Sequence, residues 1–572
     1  MTTGEAAGPE LLLGPMLRYV SETEATIWVE TDRECEVAVL GHRASTFQVA
    51  GHHYGLVVIE GLTPGSEHEY QVTLDGTVRW PLAGSGFPPS VLRTLSEGRP
   101  ARLAFGSCRV AEIAPFNLDR KARRRREAGQ SQAGDDGIDA LAATAAVLAG
   151  SPSDSWPDVL LMIGDQVYAD EPGPATRRFI ADHRAGRPAS GAAGAPPADE
   201  VADFAEYCAL YREAWSGPAV RWLFSVVPTA MIFDDHDVHD DWNTSASWRR
   251  AVAALPWWPA RIESAFESYW VYQHLGNLSP AELAADPTWG KVCQPGDAAA
   301  VLADLAHRAD QREPGVRWSV RRSFGQVLVV LLDSRSRRVV DGNPRLMTDE
   351  GEWRWLTESV SGDWAHVVIA TSVPPLLPRG IHSLEAWTER LCGGVWGRQA
   401  ARFGERLRRE FDLEHWPAFG ASFTELERLL TRLATGRLSA HGQPPFSVTL
   451  ISGDIHHSYL AAVDLPVAGA GQASAVHEAV CSPFHQAMPS KMRYAQRLAS
   501  TRASGLIGTA VAALAGAHVP GAGWRITEGP WFTNMIATLE FEGRTARIRF
   551  DQAAADRSGE PSLSAAAEAR LS

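Results

Sequence analysis

The chain has 572 residues, and a composition of 45% hydrophobic and 21% charged residues is typical of a soluble globular protein. Its 54 basic and 68 acidic residues give a net charge of −14, which disfavours nucleic acids and anionic membranes as partners and suits bound cations. The six cysteines include no CxxC pair, which excludes a zinc ribbon and favours a reducing compartment.

The N-terminal segment has no recognisable export signal. The first twenty residues contain a single basic residue, Arg18, and no apolar run ahead of a cleavage site. No stretch reaches the roughly eighteen apolar residues that a membrane span needs. We therefore expect a cytoplasmic protein without a transmembrane segment.

Residues 1–97 are predicted to form an all-β sandwich domain. Apolar segments separated by turns recur at the spacing of short strands, as at 25–29, 36–40 and 56–59. The Leu-Thr-Pro-Gly run at 62–65 resembles the E–F corner of fibronectin type III domains. His68 stands where that corner carries its tyrosine, and Tyr70 follows two positions later. We expect this fibronectin/Ig-like domain to be structural or to orient a substrate.

Residues 98–572 are predicted to form an α/β catalytic domain. Apolar strands alternate with helical segments, and most strands end on polar residues, which places one shared site at one edge of the sheet. Two of the predicted inserts are helical, a cap at about 375–435 and a segment at about 487–520. The second insert runs from basic to apolar, so it is either a packed helix or a helix on a membrane surface. A hairpin at 535–550 closes the domain, and the last twenty residues are expected to fray.

The pair Gly164-Asp165 follows a buried apolar strand predicted at 159–163. A carboxylate in this position lies where α/β sheets bind their ligands. Tyr168 and Asp170 follow at spacings that return them to the same pocket. Asp165 is therefore predicted to be a metal ligand.

The segment 234–241 places five carboxylates and two imidazoles in eight positions. A solvated acidic loop would tolerate this charge, whereas partial burial requires cations. Because the segment directly follows an apolar strand and ends at Trp242, the metal-bound interpretation is favoured.

A second Gly-Asp pattern occurs at 453–454 and is followed by His456. On an extended segment Asp454 and His456 face the same side, which suits a divalent or trivalent ion. The alternative is a core histidine paired with an aspartate. Cys108 also ends a strand, and it is either an inert packed thiol or a thiolate beside a metal ion.

Five motifs occur in the order found in the alkaline phosphatase D (PhoD-like) family, namely FGSC, GDQVYAD, DDHDVHDDW, DSR and SGDIHHS. The chain thus resembles these calcineurin-like metallophosphoesterases over nearly its whole length. The resemblance implies a core of two β-sheets flanked by helices, with a β-sandwich in front of it. It also implies a binuclear centre of Fe³⁺ with Ca²⁺, bridged by Asp165. The implied iron ligands are Cys108, Asp165, Tyr168 and His456, and Asp454 and Asp240 complete the calcium side.

Two features depart from the family pattern. Asp240 stands where the family has asparagine, and an added carboxylate should tighten calcium or favour another hard cation. The same change removes an amide that could donate to a phosphate oxygen. The missing export signal also differs from the many secreted relatives and implies an intracellular substrate pool.

The implied reaction is the in-line attack of a metal-activated water on phosphorus. Arg335 and Arg109 are the expected donors to the phosphoryl oxygens, although Arg335 could instead pair with Asp333. His236 or His457 would protonate the leaving group or orient a ligand.

The sequence leaves three functions open. The first is a metal-dependent phosphatase or phosphodiesterase that acts on a small phosphoester. The second is a phospholipase-D-like or teichoic-acid-type phosphodiesterase. The third is a non-catalytic binding or scaffold protein with a degenerate metal site, against which the retention of every expected ligand type argues.

Overall fold

The structure is a computed structural model, and it describes residues 8–112, 137–185, 194–467, 473–486, 488, 493, 496–497, 501–517 and 520–572. Its N-terminal region is all-β and contains two four-stranded antiparallel sheets. In spatial order, the first sheet consists of β1 (Leu11–Val20), β2 (Ala25–Thr31), β6 (His52–Ile59) and β5 (Phe47–Val49). The second consists of β4 (His42–Ser45), β3 (Glu36–Val39), β8 (Val72–Leu74) and β9 (Thr77–Trp80). A two-stranded ribbon joins β7 (Glu67–Glu69) to β10 (Val91–Arg93).

Apolar side chains from the two four-stranded sheets, such as Ile27 and Val37, share one core, which agrees with the predicted sandwich. The first sheet is also buried on its outer face, where Trp28 joins the core of the following domain. Tyr70, which follows the predicted corner, donates its hydroxyl to the carbonyl of Ser225 at 2.5 Å. The sandwich is therefore packed directly onto the α/β domain.

The α/β domain contains two sheets, each with a run of parallel strands. The six-stranded sheet has the order β13 (Thr229–Ile232), β12 (Val159–Ile163), β11 (Ala101–Gly106), β21 (Met535–Glu542), β22 (Thr545–Ala555) and β23 (Pro561–Arg570), of which the first three are parallel. The seven-stranded sheet has the order β14 (Val320–Phe324), β15 (Val327–Leu332), β16 (His366–Thr371), β17 (Ser447–Ser452), β19 (Ala475–Val480), β18 (Ser458–Asp464) and β20 (Gly523–Trp531), with β15, β16, β17 and β19 parallel.

The two large sheets pack face to face. Alternate residues of a strand point to opposite faces, so Val329 and Leu331 of β15 share a core with Leu161 of the six-stranded sheet. The intervening Leu328 faces the other way and shares a second core with Phe423. Helices cover the outer faces, and the predicted α/β core is thereby confirmed.

Helices fill the connections between strands, and aspartates begin several of them. Asp139, Asp203 and Asp349 each accept a hydrogen bond from a backbone N–H in the first turn of a helix. Among the described residues the α-helices are α1 (Ala140–Ala149), α2 (Pro174–His183), α3 (Phe204–Trp215), α4 (Pro218–Val226), α5 (Ala246–Ala253), α6 (Trp258–Tyr269), α7 (Pro280–Ala285), α8 (Pro287–Val292), α9 (Ala299–Asp310), α10 (Glu350–Ser359), α11 (Arg379–Cys392), α12 (Arg398–Glu410), α13 (Gly420–Ala434) and α14 (Arg502–Leu514).

The predicted cap at about 375–435 contains α11, α12 and α13, which lie between β16 and β17 in the chain. The insert predicted at 487–520 lies partly outside the described residues, and its described part includes α14. The tail predicted to fray instead forms β23, which runs antiparallel to β22, because backbone pairing does not require apolar side chains. Within the described ranges, no helix combines the length and the apolar character needed to cross a membrane.

Candidate metal centre

The strand ends that face one another carry an unusual backbone. Cys108, Asp165, Asp454 and His456 all have φ between 51° and 65°. Residues other than glycine seldom adopt this left-handed conformation, and it concentrates at functional sites where packing compensates for the strain. Each turn redirects the side chain that follows a strand toward the space between the two sheets.

Close backbone contacts hold these turns together. The N–H of Cys108 donates to the carbonyl of Gly164 at 3.2 Å, which joins the ends of β11 and β12. The N–H of Asp454 donates to Oγ of Ser107 at 3.0 Å, which joins the two sheets. Gly453 allows this approach, because a Cβ there would overlap the Ser107 side chain.

The first group of candidate ligands combines a thiol, a carboxylate and an imidazole. Sγ of Cys108, an oxygen of Asp165 and a ring nitrogen of His456 all lie within 4.8 Å of one another. Sγ of Cys108 is 3.2 Å from Oδ2 of Asp165, and the hydroxyl of Tyr168 is 3.5 Å from the same oxygen. The four predicted iron ligands are therefore brought to one place.

The second group also contains Asp165. Single oxygens of Asp165 and Asp235 and a ring nitrogen of His236 lie within 4.8 Å of one another. Nδ1 of His236 is 3.0 Å from both oxygens of Asp170, which fixes the orientation of the ring. Asp240 lies near this pair, with Oδ1 3.8 Å from Nε2 of His236 and its side chain 55% exposed.

The residues fit a bound metal. Oδ1 of Asp165 and Oδ2 of Asp234 are buried, and neither has a hydrogen-bond partner among the described residues. A buried carboxylate oxygen without a partner carries a large desolvation cost. Sulfur, imidazole nitrogen and carboxylate oxygen are ligands of first-row transition metals, and carboxylates also bind calcium.

The direction of the pKa shifts agrees with this interpretation. Burial raises the pKa of Asp165 and of Asp235 well above the usual carboxyl range. Burial likewise raises the pKa of the Cys108 thiol and of the Tyr168 phenol. A cation among them favours the deprotonated form of every one of these groups.

Asp454 has a different environment, because the cap reaches it. Nε2 of His415 is 2.9 Å from Oδ2 of Asp454, and Nδ1 of His415 is 2.6 Å from Oε1 of Glu385. Burial opposes ionisation of Asp454, but the hydrogen bond from His415 and its charge outweigh it and lower the pKa of Asp454. Asp454 is thus held by the protein itself.

Both predicted phosphate-binding arginines have other partners. Arg335 is fully buried and contacts Asp234, Asp235 and Glu414. Its predicted alternative partner, Asp333, accepts the backbone N–H of Arg335 at 2.9 Å, while the guanidinium of Arg335 pairs with other carboxylates. The guanidinium of Arg335 therefore organises carboxylates instead of facing a substrate.

Arg109 also differs from the expectation. Its Nε and Nη2 donate to Oδ2 of Asp139 at 2.9 and 2.7 Å, and its Nη1 donates to the carbonyl of Ala214. Arg109 follows the left-handed turn at Cys108, which directs its side chain toward the start of α1. It links β11 to α1 and α3.

His457 lies beside the first group of ligands. Its Nδ1 is 2.8 Å from the carbonyl of Ile455, and its ring stacks on Phe532 with centroids 5.5 Å apart. Its Nε2 is buried without a hydrogen-bond partner among the described residues. Burial lowers the pKa of His457 to about 4.

Several site residues carry no clear signal in the sequence. Asp235 is one of five aspartates in a short run, and only the folded turn selects it. Glu414 and His415 lie in the cap stretch, far along the chain from their partners Arg335 and Asp454. Long-range contacts of this kind have no local pattern from which to predict them.

Comparison with known proteins gives a consistent result. Residues 146–374 match the model of the PhoD-like phosphatase family, and residues 8–92 match a domain of unknown function, DUF7800. No curated protein matches the chain.

Two solved structures differ in how closely they match the chain. One described as "Structure of PhoD" has a TM-score of 0.57 and 11% sequence identity, over 100% of this chain and 94% of that chain, and so has the same fold. An amylomaltase from Corynebacterium glutamicum has 11% identity over 87% of this chain and 90% of its own, but a TM-score of only 0.18 carries no argument.

Proposed function

Since the chain belongs to the PhoD-like phosphatases, which are hydrolases of the alkaline phosphatase D type, we propose that it hydrolyses small phosphoesters at a binuclear metal centre bridged by Asp165. The resemblance based on five sequence motifs is confirmed at the level of the family. The two bound ions and the small phosphoester substrate go beyond that family assignment.

One observation carries the proposal. Asp165 belongs to two groups of candidate ligands at once, one with Cys108 and His456 and the other with Asp235 and His236. A carboxylate has two oxygens and can therefore bind two ions. Two ions that act together on a phosphoester lie about 3.5–4 Å apart, a separation that a carboxylate shared between them spans.

Cys108, Tyr168, Asp165 and His456 would hold the iron, because thiolate and phenolate are strong donors to a trivalent ion. The other group would hold calcium or another hard cation through Asp165 and Asp235, with Asp454 and, at its exposed side, Asp240 completing the ligands. When bound, the ions supply positive charge that neutralises phosphoryl oxygens and lowers the pKa of water.

The protein residues then divide the remaining tasks. Arg335 holds Asp234 and Asp235 in place through its buried contacts, and its charge opposes the rise that burial causes in the pKa of both carboxyls. Burial opposes the protonation of His236, but the carboxylates of Asp170 and Asp235 outweigh it and raise the pKa of His236 well above its usual value. With Nδ1 bonded to Asp170, Nε2 of His236 is the position from which a proton would reach the leaving oxygen.

His457 would act differently. Its Nδ1 donates to the carbonyl of Ile455, so Nε2, which is buried without a hydrogen-bond partner among the described residues, carries the lone pair. We assign it to the orientation of a water molecule or of a ligand.

A cytoplasmic location remains a prediction.

The proposal is tested by elemental analysis of natively purified protein, with p-nitrophenyl phosphate and bis-p-nitrophenyl phosphate assayed in parallel. We expect close to two ions per chain and hydrolysis of at least one substrate. Activity on the diester alone would favour the phospholipase-D-like or teichoic-acid-type alternative. A folded protein without ions or activity would support the scaffold alternative and refute the proposal.

A further inference from the structure

Besides the Asp170–His236 pair, the centre has a second histidine hydrogen-bonded to carboxylates, and this one comes from the cap. Glu385 lies on α11, His415 lies in the loop before α13, and Asp454 follows β17. Oε1 of Glu385 is 2.6 Å from Nδ1 of His415, and Nε2 of His415 is 2.9 Å from Oδ2 of Asp454. These three hydrogen-bonded side chains therefore connect the cap to a candidate metal ligand.

Glu385 fixes His415 at two points. Its Oε2 accepts the backbone N–H of His415 at 3.1 Å, while its Oε1 pairs with the ring. Glu385 is fully buried, and His415 is only 6% exposed. The imidazole therefore has one available orientation, with Nε2 directed at Asp454.

The hydrogen bonds define which atoms of Asp454 are available. Both ring nitrogens of His415 face carboxylate oxygens, which accept only, so both nitrogens act as donors. Oδ2 of Asp454 is occupied by this bond, and Oδ1 makes no hydrogen bond among the described residues. Oδ1 is thus the oxygen presented to an ion.

The residue next to His415 anchors the same loop to the sheet. Glu414 is 2.5 Å from Nη1 of Arg335 and 2.9 Å from Nη1 of Arg338, both of which follow β15. Residues 414 and 415 thus join the cap to the ends of two parallel strands, β15 and β17.

We propose that His415, fixed by Glu385, is a positioning residue that aims Asp454 at a metal ion and makes the packed cap a condition for tight binding of that ion. The inference rests on the proposed function, since it assigns Asp454 a ligand role. Partners that orient a metal ligand typically contribute about 10–100-fold in metal affinity.

The test is equilibrium dialysis of chelator-treated protein against calcium and, separately, against iron, with bound ions measured by elemental analysis. In His415→Gln we expect the half-saturating concentration of one ion to rise about 10–100-fold, with the other ion bound as in the wild type. Glu385→Gln should give a smaller rise, and Glu385→Asp should restore part of the affinity. Excess ion should recover turnover in each variant.

His382→Gln is the matched control. His382 is a buried histidine on α11, the helix that carries Glu385, but its ring packs on Phe423 and Trp524. Its loss should therefore perturb the cap without changing ion affinity.

Three outcomes would refute the inference. The first is that His415→Gln is folded by circular dichroism and binds both ions as the wild type does. If His415→Gln fails to fold, unchanged binding of both ions by Glu385→Gln would also refute the inference. The second is that His382→Gln weakens ion binding as much as His415→Gln does, because the loss of affinity would then follow from a less stable cap. The third is that the wild type binds no ion, which would refute the proposed function as well. This outcome is seen in the wild type, whereas the first two appear only in the variants.

Discussion

The strand ends at Gly164-Asp165 and Gly453-Asp454 have the same local sequence pattern and very different surroundings. In both, glycine directly follows a buried parallel strand, and the aspartate after it takes a left-handed backbone, with φ of 52° and 65°. The two turns lie on different sheets and face the same space. Their local structure is thus nearly equivalent.

Their side chains are stabilised in opposite ways. Asp165 is 1% exposed, and its Oδ1 has no hydrogen-bond partner among the described residues, so burial raises its pKa. The pKa of Asp454 is lowered instead, because His415 outweighs the effect of burial. We infer that Asp165 depends on bound ions, whereas Asp454 depends on the cap.

The largest expected effect is that of Asp165→Asn. The variant loses the charge shared by both groups of ligands, so we expect turnover to fall by roughly three orders of magnitude or more and both ions to be lost together. Elemental analysis and the two ester assays measure this. Excess metal should not restore activity. Normal turnover with full metal content in the variant would contradict the bridging assignment.

Asp454→Asn should have a smaller and more selective effect. We expect one ion to bind more weakly, by at least the ~10–100-fold expected for His415→Gln because the ligand itself is changed, with the other ion retained. Turnover should recover in part with excess ion, unlike that of Asp165→Asn. Loss of both ions in equal measure would show that the two strand ends are not distinct in function.

The contrast between the two strand ends also shows how much can be predicted from sequence. Parallel strands bring their carboxyl ends to one edge, so the sequence predicts one shared site there, and the family resemblance adds that Cys108, Asp165 and His456 bind the same ion. It does not assign His415 and Glu385, because their contacts depend on how three cap helices pack. The two Gly-Asp patterns therefore predict where the aspartates lie in the fold, but not which groups surround their carboxylates.

A third prediction concerns the glycines. A Cβ at Gly453 would overlap Ser107, and a Cβ at Gly164 would lie 2.9 Å from Cβ of Asp234 in a backbone with φ of 112°. We expect Gly453→Ala to lower the free energy of unfolding by about 1–3 kcal/mol, as overpacking does. Urea unfolding measures the loss. Gly290→Ala, where no atom lies within 4 Å, is the control and should lose nothing.

The double variant Gly453→Ala/Ser107→Gly separates steric overlap from other causes. If overlap with Ser107 is the cause, the double variant should be more stable than the sum of the two single losses predicts. Strict additivity would contradict that explanation. Gly164→Ala should show no such coupling to Ser107→Gly, since its strain comes from backbone conformation and from Asp234.

The smallest expected effect is that of Ser107→Ala. Oγ of Ser107 accepts the N–H of Asp454 at 3.0 Å and lies 3.1 Å from Sγ of Cys108. Its loss should lower the free energy of unfolding by about 1 kcal/mol and weaken the ion on the Asp454 side only slightly, because His415 still holds the carboxylate.

Ser447→Ala is the matched control for that variant. Ser447 lies at the other end of β17 and is buried with its Oγ 2.8 Å from Nδ1 of His366. It should cost similar stability with no change in either ion. If Ser107→Ala instead releases an ion as readily as His415→Gln does, then the turn backbone and not the cap would position Asp454, and the contrast between the two strand ends would be lost.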